Sequence, residues 1–366
     1  MNGPAPQESS VAIIGGGYAG INVAKALDEH AAVTLVEPRD AFVHNIAALR
    51  AVVRPEFLHH MFLPYDHLLA RGRVVRDRAV RVDGRSIGLA SGARLTPDII
   101  VLATGSSYPF PAKSDTDSTA DALGRYRSTH GHLERARRVM LLGAGAVGLE
   151  FAGEIAAAWP DKEIVLVDQA EQILPGPYDQ RLRDELNRQL RDLGVEQVMG
   201  SPLNSLPEVA AGQPGRFSVS TAAGTAVDAD LWFRCYGIAP QTGYLAGDLL
   251  AARTAEGYLS VTPELTVEGF QNVYALGDIA GIDANKAGIA GSQAKIVAAN
   301  IRSWLAGSAE RVSYIPAAPV IILPLGPSGG SGQLPDGEIA GTGLVSRIKG
   351  HDMMITRYAE ILNLPA

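Results

Sequence analysis

The chain has almost no cysteine: Cys235 is the only one in 366 residues. A disulfide framework, a cysteine zinc site and a paired-thiol redox relay within the chain are thereby excluded, and the usage suits a reducing compartment. An excess of positive charge is also missing. The 32 lysines and arginines face 39 acids, for a net charge of −7, and the arginines are scattered among the acids. Nucleic acid is therefore not expected as a partner. No apolar run is long enough to cross a bilayer; the best, Ile315 to Leu325, is short and broken by three prolines. The opening MNGPAPQESS has neither the basic-then-apolar layout of a secretory signal nor a glycine after Met1 for myristoylation. A cytoplasmic location is expected, with loose contact to a membrane surface left open. His59-His60 has no third ligand at metal spacing, so no metal is expected.

Glycine, by contrast, is abundant, and two of its clusters match. VAIIGGGYAGINVAKAL, Val11 to Leu27, and VMLLGAGAVGLEFAGEI, Val139 to Ile155, each read as an apolar strand, a glycine turn and a small-residue helix. In Gly15, Gly17 and Gly20 the first glycine permits the tight turn and the second lets backbone approach a pyrophosphate. The third lets helix and strand pack closely. The helix N-terminus adds partial positive charge facing the phosphates. Glu37 ends the next strand, 22 residues past Gly15, where a carboxylate can accept from a ribose hydroxyl pair. Gly143, Gly145, Val147, Gly148 and Asp168 repeat the arrangement. Asp168 would repel a 2′-phosphate, which favours NADH over NADPH. Glu150 falls in the first turn of the second helix, where the helix dipole alone would favour an acid.

The repeat extends further. Gly15 and Gly143 lie 128 residues apart, Glu37 and Asp168 131, and the strand-closing Gly105 (after Ala103-Thr104) and Gly237 132. Near-constant spacing implies two copies of one nucleotide-binding unit. The strands lack polar alternation, as parallel strands covered on both faces do. Small antiparallel sheets are expected at 79–95 and near 217–229. After Gly237, the strand of LTVEGFQNVYALGD ends at Gly277-Asp278 and a helix is expected from about Lys286 to Leu305, so the second unit is inserted in the first. The expected class is α/β: two Rossmann-like domains, the second inserted in the first, plus a small C-terminal domain. The FAD-binding domain would span 1–112 and 255–310, the NAD(H)-binding domain 113–254, and a C-terminal domain over the flavin and acceptor site 311–366. Two dinucleotides in one chain imply a hydride donor and a receiver, for which a flavin is the natural choice. Asp278 would aim at the ribityl chain of FAD.

The set GGGYAG, ATG, GAGAVG and YALGD, with FVHNIAALRAVV (Phe42 to Val53) and the tail SGQLPDGEIAGTGLVSRIKGHDMM, resembles the ferroptosis suppressor protein and apoptosis-inducing-factor-like NAD(P)H:quinone oxidoreductase family. That family is related to type II NADH dehydrogenases, and the resemblance runs over essentially the whole chain. It implies hydride transfer from NADH to FAD and then electron delivery to a quinone-like acceptor. It places the first glycine turn with Tyr18 and Ala19, together with Arg50 and Asp278, on FAD, and Ala79 near the adenine by its backbone. It places His44, Glu150, Lys286 and Lys349 close to the flavin or the substrate entrance, Glu150, Lys349 and His44 being the catalytic candidates. A structural histidine at 44 and a solvated tail lysine at 349 are the plain alternatives. The chain departs from the family in lacking a Met-Gly start and in the side chains at Met353 and Met354, which puts membrane anchoring and the acceptor pocket in question. A ferredoxin or rubredoxin reductase and a slow redox-sensing flavoprotein are the rival functions; a homodimer stays open.

Overall fold

The computed structural model describes residues 9–283 and 289–365. Its first sheet is parallel, in spatial order Val273–Ala275, Ile99–Leu102, Ser10–Ile14, Ala32–Val36 and Arg73–Val75. The strands are short and apolar because both faces are covered, one by helices and the other by the small antiparallel sheet and the segment 245–252. Helix α1 (Tyr18–Leu27) follows the first glycine turn and buries Ile21, Val23, Ala24 and Leu27 against the sheet. Each large aliphatic side chain withdrawn from water contributes about 2 kcal/mol. The small sheet at Ala79–Val82, Ile87–Leu89 and Arg94–Leu95 forms as the turns foretell. Helix α2 (Ala48–Val53) is short and buried on every residue, because it lies in the same hydrophobic core as Val139, Leu141 and Phe151 of the second unit.

Helix α3 (Thr119–Arg135) opens the second unit, its first turn capped by the Ser118 hydroxyl accepting from the Asp121 N–H at 3.3 Å. The second sheet is again parallel, in order Glu196–Val198, Glu163–Val167, Arg138–Leu142 and Leu231–Arg234. Helix α4 (Ala146–Ala158) follows the second glycine turn, and α5 (Gln180–Asp192) lies beyond Asp168. The chain crosses back where Ser106–Ser107 pairs antiparallel with Ala239–Pro240. Leu245, Leu249 and Ala252 then pack with Val82 and Ile87 of the first unit. Apolar burial thus groups the residues just after the crossing near 240 with the first core, ahead of the expected boundary at 254.

Helix α6 spans Ala290–Leu305 and packs along α1; Lys286, expected at its start, lies outside the described residues. The C-terminal part divides its contacts between the two units. Its antiparallel strands, Ile321–Leu325, Gly329–Gln333 and Ile339–Ala340, rest on α4 and α5. Gln189 on α5 fixes them by donating to Gly330 O (3.0 Å) and accepting from Gly330 N (2.6 Å). Helix α7 (Ile355–Ile361) returns to α1, where Lys25 Nζ donates to Glu360 O, Ile361 O and Asn363 Oδ1 at 3.1, 2.6 and 2.7 Å. Among the described residues no helix is long and apolar enough to cross a membrane.

Candidate active site

The two glycine turns are built alike. A Cβ on Gly15, whose φ is +103°, would lie 2.5 Å from Ala103 O, and one on Gly20 would lie 1.8 Å from Gly15 O. In the second turn Gly143, at φ +115°, would meet Cys235 O at 2.9 Å, and Gly148 would meet Gly143 O at 1.9 Å. These four are glycine so that helix and strand can close on each other. A Cβ on Gly17 or Gly145 would meet nothing within 4 Å. Those are the open faces, each at a helix N-terminus, that a pyrophosphate requires, so the residues present fit two dinucleotides.

The strand-end acids also correspond. Glu37, 2% exposed, accepts from Gly16 N at 2.7 Å and from Arg39 N at 3.0 Å. Asp168 accepts from Ala144 N at 2.6 Å and Ala170 N at 2.8 Å. Each carboxylate thus ties its own turn to the neighbouring strand end, and Tyr65 completes the first by donating to Gly16 O at 2.8 Å. Thr104 and Gly105 lie at the crossing between units, where Thr104 Oγ1 donates to Gln241 O at 2.6 Å and Gly105 O accepts from Gln241 N at 2.9 Å. Ala79 opens the small sheet and pairs with Leu89. Gly237 has a φ of +105° beyond the last strand of the second sheet, behind the exposed Tyr236. Cys235 is buried beneath the second turn, and burial pushes its thiol up to about 12, so it is inert as a nucleophile.

Gly277 sits against the start of α1, its Cβ position 3.4 Å from Ala19 Cβ, which brings the GD pair to the first turn. Asp278 Oδ2 accepts from Ser106 Oγ at 2.5 Å and from Lys113 Nζ at 3.1 Å, and Lys113 also donates to Ser106 O at 2.9 Å. Sequence reasoning missed Lys113. It lies in an irregular linker where no periodicity or motif marks a lysine.

From the first turn a chain of contacts leads to the tail. His44 is fully buried, with Nε2 2.8 Å from Met353 O and Nδ1 3.2 Å from the Tyr18 hydroxyl. A carbonyl only accepts, so Nε2 carries the proton and Tyr18 donates to Nδ1 while accepting from Ile46 N at 2.9 Å. Burial pushes the pKa of His44 down to about 4 and that of Tyr18 well up, so both stay neutral near pH 7. Both ring nitrogens of His44 are occupied. Met353 and Met354 follow one another in the left-handed region, at φ 55° and 63°, a turn that needs such external support.

Lys349 Nζ donates to Glu150 Oε1 at 2.5 Å, joining the tail to α4, with the two side chains 16% and 13% exposed. Burial raises the pKa of Glu150, and the adjacent Lys349 opposes that shift. The pair therefore holds a proton and a charge in partly dry surroundings. Arg50, which the resemblance places on FAD, is gripped in the structure by protein groups. Arg50 is 1% exposed; its Nε and one terminal nitrogen donate to Glu154 at 2.8 and 2.6 Å, and the other terminal nitrogen donates to Gly350 O at 2.5 Å. A buried guanidinium must have a carboxylate beside it, and Glu154 on α4 supplies that partner. Glu154 was missed, although two glutamates four apart on an otherwise apolar helix carried the signal.

The family model of the pyridine nucleotide-disulphide oxidoreductases matches residues 9–304. The chain belongs to that family. As a pyridine nucleotide-disulphide oxidoreductase it is similar to apoptosis-inducing factor homolog B of Dictyostelium discoideum, 28% identical over 98% of both chains. It is similar to ferroptosis suppressor protein 1 of Homo sapiens, 30% identical over 94% of both, and of Taeniopygia guttata, 30% identical over 95% of this chain and 94% of the relative. Among solved structures, a ferredoxin reductase from Rhodopseudomonas palustris has a TM-score of 0.65 at 23% identity, covering 85% of this chain and 78% of that one. A NAD-dependent persulfide reductase from A. fulgidus has a TM-score of 0.67 at 19% identity over 86% of this chain, which spans only 62% of that longer protein. This family member is an FAD-dependent oxidoreductase that uses NAD(P)H.

Proposed function

We propose that the protein takes its hydride from NADH and delivers electrons to a quinone-type acceptor. The observation that supports this reading is the Glu150–Lys349 pair, which joins α4 to the tail through a carboxylate and an ammonium, with no thiol in it. Bound FAD would accept a hydride from a nicotinamide and release electrons singly or as a pair. The chain's part is to hold and orient. The open face at Gly17, the Glu37-anchored turn and the Asp278–Lys113–Ser106 cluster would hold FAD. The open face at Gly145 with Asp168 would hold the nucleotide donor. No arginine or lysine occupies 169–172, so nothing beside Asp168 would welcome a 2′-phosphate.

Reducing a quinone to a quinol takes two electrons and two protons. Lys349 and Glu150 can move a proton and set local charge on the acceptor side. His44, with both nitrogens engaged, holds the tail turn over that side rather than exchanging protons with a ligand. The test is rapid mixing of NADH-reduced protein with a soluble benzoquinone, a ferredoxin and oxygen. Quinone should reoxidise it fastest; a ferredoxin that outpaced quinone would replace this reading with the ferredoxin-reductase one.

A further inference from the structure

Glu150 and Glu154 are four residues apart on α4 and so lie on one face, a turn apart. Two connections run from that face to consecutive residues of the tail. Glu150 receives Lys349 directly at 2.5 Å. Glu154 receives Arg50 through two nitrogens at 2.8 and 2.6 Å, and Arg50 passes its third on to Gly350 O at 2.5 Å and His351 O at 3.2 Å. We propose that Arg50 and Glu154 are positioning residues for Lys349: a rigid strut that fixes the tail turn relative to α4 and so keeps the lysine ammonium on Glu150. The proposal rests on the reading that Lys349 serves the acceptor side.

Three features support a strut over simple stabilisation. A guanidinium gripped at two points by a carboxylate cannot swivel, so the direction of its third nitrogen is set. Both partners are 1% exposed, and an ion pair so buried gains little stability over apolar packing, which leaves orientation as its contribution. The segment it holds is irregular backbone: residues 346–350 form one wide helical turn, and Met353 and Met354 follow in left-handed backbone. Gly350 also lies close to the turn of the tail sheet, since a Cβ there would lie 2.9 Å from Pro327 O.

The experiment is a double-mutant cycle on FAD-loaded protein with Glu154→Gln, Lys349→Ala and the double variant. It follows reduction by NADH and reoxidation by a soluble benzoquinone, with ferricyanide as a second acceptor. Glu154→Gln alone should slow reoxidation about tenfold while changing reduction less than about twofold, and should slow nothing further once residue 349 is alanine. Effects that simply multiply would overturn the strut. Should Glu154→Gln not accumulate as folded protein, Arg50→Lys keeps the charge, loses the fork and serves the same cycle. Amide hydrogen exchange over 346–354 gives a readout that needs no acceptor. It should quicken in either variant with the flavin absorbance unchanged, and wild-type exchange there would also overturn the strut. A wild type that reduced no quinone would sink the proposed function while leaving the exchange result to decide the strut.

Discussion

His44 titrates near 4 in the fold, whereas an exposed histidine titrates near 6.5. Between those values the unfolded chain binds a proton that the folded chain refuses. The stability is therefore complete above about pH 6.5, falls by roughly 1.4 kcal/mol per unit as pH drops through the window, and levels off below about pH 4, some 3 kcal/mol lower. Glutamine at 44 can keep both hydrogen bonds without titrating, so urea midpoints of His44→Gln should fall less steeply than wild type from pH 7 to 4.5. Parallel curves would mean that another group sets the acid limit. At Gly17 the open face makes a different prediction: Gly17→Val should place its side chain where the pyrophosphate belongs and yield protein without flavin colour. A fully yellow Gly17→Val protein would move the FAD elsewhere. Asp168, in turn, should give NADH an advantage of about tenfold to a hundredfold in kcat/KM over NADPH, the size expected for a lost hydrogen bond plus a like-charge contact. Equal use of the two nucleotides would show that Asp168 serves its turn alone.

At the level of elements, α4 packs its backbone directly against the tail sheet. A Cβ on Gly153 would lie 2.4 Å from Leu325 Cα and 2.8 Å from Gly326 N, backbone atoms that cannot swing aside. Gly153→Ala should therefore lose about 1–3 kcal/mol despite alanine's better helix propensity, read as a lower melting temperature. An unchanged melting temperature would mean that the tail sheet slides freely on α4. The glycine turns, strand ends and inserted order were legible because each depends on neighbours close in sequence: a turn needs its glycines, and a buried parallel strand needs an apolar run. The tail was not legible, because side chains far away in sequence hold it by its carbonyls. Lys25, His44 and Arg50 grip Ile361, Met353 and Gly350, and a backbone oxygen has no letter in a sequence. The partner of Arg50 was hidden for a related reason. Its neighbours in sequence say that it is buried, but only the approach of α4 shows which carboxylate it meets. Asp278 follows a glycine that packs against the start of α1, while its partner Lys113 comes from a linker without pattern.

Across the whole molecule, the C-terminal part touches both units, resting its strands on the second and its last helix on the first. Lys349 is set between them, so removing it should separate the two halves of the catalytic cycle. Lys349→Ala should keep its flavin and melting temperature, stay within about twofold in reduction by NADH, and lose roughly tenfold in reoxidation by quinone, as for a lost proton-handling group. Unchanged rates in both half-reactions would take the tail out of the active site. The same architecture puts one sulfur atom where it is of use to the experimenter. Cys235 is the only thiol, sealed under the second glycine turn with its thiolate suppressed. A maleimide can reach it only when that unit opens, so each chain carries one natural label site whose rate of mass gain tracks opening of the nucleotide-donor domain. Increasing NADH should slow that labelling in proportion to the fraction bound, giving a binding isotherm from intact-mass spectra of the unaltered protein.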